Sequence, residues 1–466
     1  MREENEFLFG EEETIEIVQK YENMLKHNRS FFFDVIDFEN IIDYYLNADN
    51  SQRASEAVDI AYSMHPYSSE IQLKKAELLL IDKQYAQALD ILTVLVKIDP
   101  DNSEVFFLKG QAHLEMGDYQ LAHEDFWHST RCFSEDKVDL LYRIASLYQD
   151  VDELNYALRY LLLAYSIDNN SLNILFELGY CYERLGELTK SEKFYNLYLD
   201  INPFSTSVWY NLGIVYTRNG VFAKALEAYD FALAVEPSNS SAIHNKANTL
   251  ATIEKYDEAA NSFAELLEFE PENARVYASI GECYEKLDNY DKAFEAYGKS
   301  LELLPSLSEA YYGLGIVNLK IGRLNLALEN IKSALALDSE NYDFWLGLAK
   351  VKFEMGAEEE AIAAYREATS LNPDEPDAYI GLAEIKLFKE SFSEVEEIYH
   401  EVSEKFVDIA ALKIIYAAAL YLQDKPNIAL NVIKQAKSIT PFAVEDFLAV
   451  VSVINDQSFL NKLKLL

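Results

Sequence analysis

Glycine and proline are both scarce in this chain, with 15 and 10 among 466 residues. That scarcity excludes collagen-like, sandwich and low-complexity disordered classes. Only three cysteines occur, Cys132, Cys181 and Cys283, far apart and without a C-x-x-C pair. Neither a disulfide framework nor a zinc site follows from them, and a reducing cytoplasm suits such usage. Basic charge is also short, at 40 Lys and Arg against 79 Asp and Glu, a net charge of -39. Such a field repels phosphate backbones and anionic lipid surfaces, so the expectation is no nucleic acid and no membrane among the partners. No apolar run approaches a membrane span, and the first residues, MREENEFLFGEEE, are acidic where a signal peptide is basic. Phosphate loops, G-x-S-x-G and H-E-x-x-H motifs are absent too.

What the chain has is a repeat of 34 residues. Repeats begin at Val35, Ser69, Ser103, Val138, Leu172, Thr206, Ser240, Ala274, Ser308, Tyr342, Pro376 and Ala410. One extra residue falls between the third and fourth, in the turn around Ser134 to Lys137. Two columns test this register. At position 8, eleven of twelve residues are Gly or Ala, as in Gly179, Gly213, Gly281 and Gly315. At position 20, ten of twelve are Ala, as in Ala88, Ala225 and Ala327. Two antiparallel helices that pack closely need small residues where their backbones approach, and larger ones overpack by roughly 1–3 kcal/mol.

Position 32 holds eight of the ten prolines, among them Pro100, Pro203 and Pro271. Proline lacks a donor and disfavours helix in the residue before it, so it punctuates the end of a second helix. Position 24 is always large and apolar, as in Phe126, Tyr195, Tyr297 and Tyr365, and is expected to fill the space toward the neighbouring repeat. Gly117, Gly186, Gly220, Gly322 and Gly356 mark left-handed turns after the first helix, with short polar turns such as Asp288-Asn289 standing in elsewhere. Each repeat reads as helix A, a tight turn, helix B and a proline-punctuated turn.

The segment 206–239 carries Trp209, Leu212, Gly213, Tyr216, Ala225, Tyr229, Ala232 and Pro237 at the spacing W-x2-L-G-x2-Y, Ala, aromatic, Ala, Pro. On these residues the chain resembles the tetratricopeptide-repeat family, over residues 35–443. The resemblance implies an all-α fold, a right-handed superhelical α-solenoid of helical hairpins. Residues 1–34 are expected to form an acidic segment and a capping helix, and residues 444–466 to form C-terminal capping helices through Phe447, Val450, Val451 and Ile454.

The resemblance also implies a concave groove lined by helix A at repeat positions 2, 5, 6, 9, 12 and 13. The partner-binding candidates there are Phe176, Tyr180, Tyr210, Asn211, Arg218, His244, Asn245, Arg275, Tyr312 and Lys350. Acidic neighbours include Glu177, Glu183, Glu282, Asp343 and Glu384. Aromatic rings supply contact area at low entropic cost, and carboxylates select a basic or neutral, extended protein or peptide segment. Asn211 and Asn245 occupy position 6, where relatives that modify serine and threonine carry an asparagine ladder for peptide backbone. The lysine and asparagine clamp of chaperone-binding relatives is missing.

His113, His123 and His128 are grouped in sequence, but their spacing across two helices does not make a metal site. No cofactor and no catalytic residues are expected. The function that follows is a non-catalytic scaffold or adaptor. The alternatives are a self-assembling repeat protein, homo-oligomeric through its terminal helices, or a targeting subunit of an enzyme complex.

Overall fold

A computed structural model of the protein describes residues 2–27, 31–132, 136–451 and 457–464. The turn that holds the extra residue is described except for 133–135, and Ile454 of the expected cap lies outside the described residues. Helices and the turns joining them make up the described residues, and no strand occurs among them. The chain divides into two compact units, residues 1–220 and 221–466.

In the first unit, α1 (Arg2–His27) precedes five hairpins. These are α2/α3 (Val35–Asn47, Ser51–Met64), α4/α5 (Ser69–Ile81, Tyr85–Ile98) and α6/α7 (Ser103–Glu115, Tyr119–Cys132). Then come α8/α9 (Lys137–Asp150, Leu154–Ile167) and α10/α11 (Leu172–Arg184, Leu188–Ile201), and α12 (Thr206–Arg218) ends the unit. The second unit opens with α13 (Phe222–Val235), the second helix of the sixth repeat in the sequence. It continues with α14/α15 (Ser240–Thr252, Tyr256–Phe269), α16/α17 (Ala274–Lys286, Tyr290–Leu303) and α18/α19 (Ser308–Lys320, Leu324–Leu337). The last hairpins are α20/α21 (Tyr342–Glu354, Glu358–Leu371), α22/α23 (Asp377–Phe388, Phe392–Val402) and α24/α25 (Ala410–Leu422, Pro426–Lys437). Two short helices follow, α26 (Ala443–Val450) and α27 (Gln457–Lys464).

The turn from A to B is the same device throughout. Position 15 has positive φ in all twelve repeats, at five glycines and at Asp49, Lys83, Asp152, Glu254, Asp288, Glu390 and Asp424. In the third repeat the Gly117 amide donates to the Leu114 carbonyl at 3.0 Å, and the Asp118 amide donates to the His113 carbonyl at 2.9 Å. Those two bonds define a Schellman motif, which satisfies carbonyls the helix end leaves free.

Position 8 explains itself in the packing. A Cβ on Gly179 would come 2.5 Å from Tyr195 Cδ1, and one on Gly281 would come 2.8 Å from Tyr297 Cδ1. The position-24 ring therefore lies flat on bare backbone within its own hairpin. The C-terminal helices close the last hairpin: Phe447, Val451, Phe459 and Leu463 are buried, with Phe447 and Phe459 against Tyr421, whereas Val450, expected among them, faces solvent. At the other end Val18, Tyr21 and Met24 of α1 are buried with Phe38, Ile41 and Ile42 of α2.

Candidate functional site

The position-24 rings do more than fill their hairpins, because their outer ends reach position 6 of the next A helix. Tyr195 shows this in the first unit, where Asn211 Nδ2 donates to Tyr195 Oη at 3.3 Å. In the second unit a Cβ on Gly313 would lie within 2.5 Å of the Tyr297 hydroxyl oxygen, and one on Gly381 within 2.6 Å of the Tyr365 hydroxyl. Position 6 is thus glycine where a ring end takes the space, and at Asn211 one amide donor already serves the chain itself. Burial pushes the phenols of Tyr195, Tyr297 and Tyr365 well above their usual range, so they remain neutral donors.

The candidates of the first unit lie on α10 and α12. The half-buried Phe176 ring stands 6.1 Å from Tyr195 and 6.4 Å from Tyr198. Tyr180, one turn further, accepts from Arg184 Nη1 at 2.9 Å, and Arg184 also holds Asp152 at 3.0 Å. Arg218 Nη1 donates to the Glu183 carbonyl at 3.1 Å and its carboxylate at 3.3 Å. Tyr210 is half-buried on the same helix as Asn211 and Arg218.

In the second unit His244 is exposed, edge-on to Phe263 at 5.9 Å and 3.2 Å from the Asn248 amide. Asn245 beside it is half-buried, and Arg275 on α16 is exposed. Tyr312 leans on Phe344 with ring centres 5.0 Å apart, and a Cβ on Gly347 would come 2.8 Å from Tyr312. Lys350 is exposed and close enough to Glu384 to favour its charged form. Phe353 and Phe388 meet at right angles, 6.1 Å apart, with Phe388 69% exposed. The ten candidates therefore form two sets, residues 176–218 in one unit and 244–350 in the other.

Charge on these helices follows one rule. Among the described residues, the glutamates whose carboxyl groups are pushed above the usual range are Glu39, Glu104, Glu177, Glu183, Glu282 and Glu384. All stand on A helices at positions 2, 5, 6, 9 or 12. Burial is the largest cause in each case, opposed at Glu183 by Arg218 and at Glu177 by the Gln149 amide, 2.7 Å away. Glu282 and Glu384 are exposed by surface area, yet adjoining A helices still thin the water around them. Sequence reasoning placed the groove residues only from 172 onward. Glu39 and Glu104 were available from the same register, at positions 5 and 2, but their loss of water was not.

The three histidines have separate structural partners. His113 Nδ1 lies 2.7 Å from Asp125 Oδ2, while Lys109 Nζ holds the other oxygen at 2.7 Å. His123 Nδ1 is 2.8 Å from Tyr160 Oη, and burial with Arg159 holds its pKa low. His128 stacks on Phe106 with centroids 5.1 Å apart. Among the described residues no group of His, Cys, Asp and Glu is arranged to hold a metal ion. No described helix is long and apolar enough to cross a membrane.

Comparison with known proteins agrees with this repeat geometry. Tetratricopeptide-repeat families match residues 40–103, 172–205 and 274–307, and a TPR repeat family matches 351–387. No curated protein matches the chain. Among solved structures, a tetratricopeptide repeat protein from Parabacteroides merdae is 20% identical over 63% of this chain and 98% of its own, with a TM-score of 0.43. Yeast Tom70 is 15% identical over 92% of this chain and 98% of its own, with a TM-score of 0.48. A chain of the APC/C hetero-tetramer Cut9–Hcn1 is 15% identical over 92% of this chain and 89% of that chain, with a TM-score of 0.43.

Proposed function

We propose, from the premise that this chain is a tetratricopeptide-repeat protein, that it is a non-catalytic adaptor holding basic or uncharged extended segments of partner proteins. The segments would lie along the A helices, at the aromatic and acidic positions described above.

The observation that carries this reading is the placing of half-desolvated carboxylates beside aromatic rings on those helices. A carboxylate with little water around it gains more from an arriving lysine or arginine than a solvated one does. Phe176 and Tyr180 share α10 with Glu177 and Glu183, and Phe388 shares α22 with Glu384, one turn away. Rings of this kind give contact area, and the carboxylates give sign. Nucleic acid would meet the same acidic field and be repelled.

The reading extends to the reducing cytoplasm. Cys181 and Cys283 are buried, and burial lifts their thiols to about 11 and about 12, which leaves them unreactive. Self-assembly through the C-terminus has less support, because Phe447, Val451, Phe459 and Leu463 are closed against the chain itself. In this reading residues 1–34 and 444–466 serve as caps.

The test uses the intact chain as bait in its native cell, beside the variant Glu282→Lys with Glu384→Lys. A protein partner held by the parent and released by the variant, with both melting alike, supports the proposal. An identical set of partners on both baits would move the site away from the A helices.

A further inference from the structure

A groove of about 400 Å³ lies between the B helices of the third and fourth hairpins. Trp127 and Arg131 line it from α7, Leu163 and Ile167 from α9, and Leu141 and Lys137 from α8. We propose that this groove docks an acidic segment of a partner protein that carries leucine or phenylalanine side chains. The apolar side chains would lie on Trp127, Leu163 and Ile167, and the carboxylates would meet Arg131 and Lys137.

Charge is the first argument. In a chain of net charge -39, the charged residues lining this groove are both cations. Both are exposed, and among the described residues neither takes part in an ion pair. Two such cations over an apolar floor complement a segment that is acidic and apolar at once.

The repeat supplies its own control. The corresponding groove between the sixth and seventh B helices, α13 and α15, has about 340 Å³. There Asp230 stands at the place of Trp127, Glu265 at that of Leu163 and Glu268 at that of Ser166. Its lysine, Lys246, is bound to Asp230 at 2.7 Å. The fold makes this groove more than once, and the lining between α7 and α9 is apolar and cationic where that between α13 and α15 is acidic.

Lys137 is the second argument. The repeat step is one residue longer here, and α8 begins at Lys137, one place before the register position where ten of the other A helices start. Asp136 caps that end through the Val138 and Asp139 amides, each at 3.1 Å. A cation in the first turn works against the helix dipole, so α8 gains nothing from Lys137 by that route. The position is explained by an anion arriving from outside.

Trp127 is the third. Trp209 and Trp345 sit at position 4 of A helices and donate their indole N–H to the Pro203 and Ser339 carbonyls, each at 2.8 Å. Trp127 instead sits on a B helix and is 43% exposed. Tryptophan and arginine side by side are the residues that dominate binding energy at interfaces.

The experiment is fluorescence anisotropy on the intact chain with a labelled peptide carrying leucines at helical spacing and glutamates elsewhere. A second peptide has each glutamate replaced by lysine. The expected result is salt-sensitive binding of the glutamate peptide that weakens at least about tenfold in Arg131→Glu with Lys137→Glu, and also in Trp127→Ala. Lys434→Glu, a charge reversal at an exposed site on α25, should leave that affinity unchanged, which separates this groove from net charge alone. Circular dichroism of each variant should match the parent. Binding that survives the double charge reversal, a preference for the lysine peptide that Trp127→Ala abolishes, or no binding of the glutamate peptide would each overturn the proposal.

Discussion

Tyr297 occupies the space that a side chain at Gly313 would need, although the two residues belong to successive hairpins. The same ring lies on Gly281 within its own hairpin. One side chain therefore sets the spacing of two helix pairs.

From this, Gly313→Ala and Gly281→Ala should each destabilise the second unit by roughly 1–3 kcal/mol, because the ring must move or the helices part. Gly298 is the contrast, since a Cβ there would meet nothing within 4 Å. Gly298→Ala should stabilise by about 1 kcal/mol through helix propensity. Urea titration of the three variants would show opposite shifts in midpoint, and three shifts of one sign would refute the packing account.

The left-handed turn predicts a gain of stability at Lys83, whose φ is 59°. Lys83→Gly should raise stability by roughly 0.5–1 kcal/mol, because the side chain no longer opposes that conformation. Gly322→Ala, at φ 75°, should lower it by about 1 kcal/mol. Thermal melts monitored by circular dichroism suffice.

Asp125 is buried between Lys109 and His113. Asp125→Ala leaves a lysine without its counter-ion in the third hairpin and should destabilise by about 3 kcal/mol. Hydrogen exchange should report the loss first in α6 and α7. Protection unchanged there would mean the cluster contributes little.

The glutamates on the A helices predict the sign of a pH effect. Glu282 has its carboxyl raised chiefly by burial, with Lys286 opposing and Glu285 and Asp343 reinforcing. A carboxyl raised on folding binds its proton more readily in the folded chain, so its contribution is fully present below the unfolded value and is lost as pH rises through the folded one. As pH falls from neutrality toward the ordinary glutamate value of about 4.3, the contribution of Glu282 to the melting midpoint should therefore rise. Glu282→Gln should raise the midpoint at neutral pH and flatten that slope. A midpoint that depends on pH equally in Glu282→Gln and the parent would contradict this.

Much of the fold was legible because each repeat restates the same packing problem. Alanine at position 20 and glycine at position 8 gave the register, and proline at position 32 gave the ends of the B helices. Glycine marked the turn in five repeats, but Lys83 and Glu254 adopt the same left-handed backbone without any compositional signal. At the candidate site the register places residues on their helices but does not give their chemistry. Asn211 reads as a free amide until Tyr195 is seen beside it. Likewise Gly313 and Gly381 stand where tyrosine ring ends fill the space that a side chain would need. Both facts depend on a side chain from the preceding hairpin. The groove at Trp127 was illegible for a similar reason, since its walls come from three helices.

The two kinds of turn differ in what they can tolerate. The A-to-B turn is held by a positive-φ residue and bonds that count back three and five residues, so its length is locked. Among the described residues the B-to-A turns hold no positive-φ residue, and it is between α7 and α8 that the repeat step is one residue longer. Growth of this protein by insertion, whether by evolution or by an engineer splicing in a tag, is channelled to one edge of each hairpin.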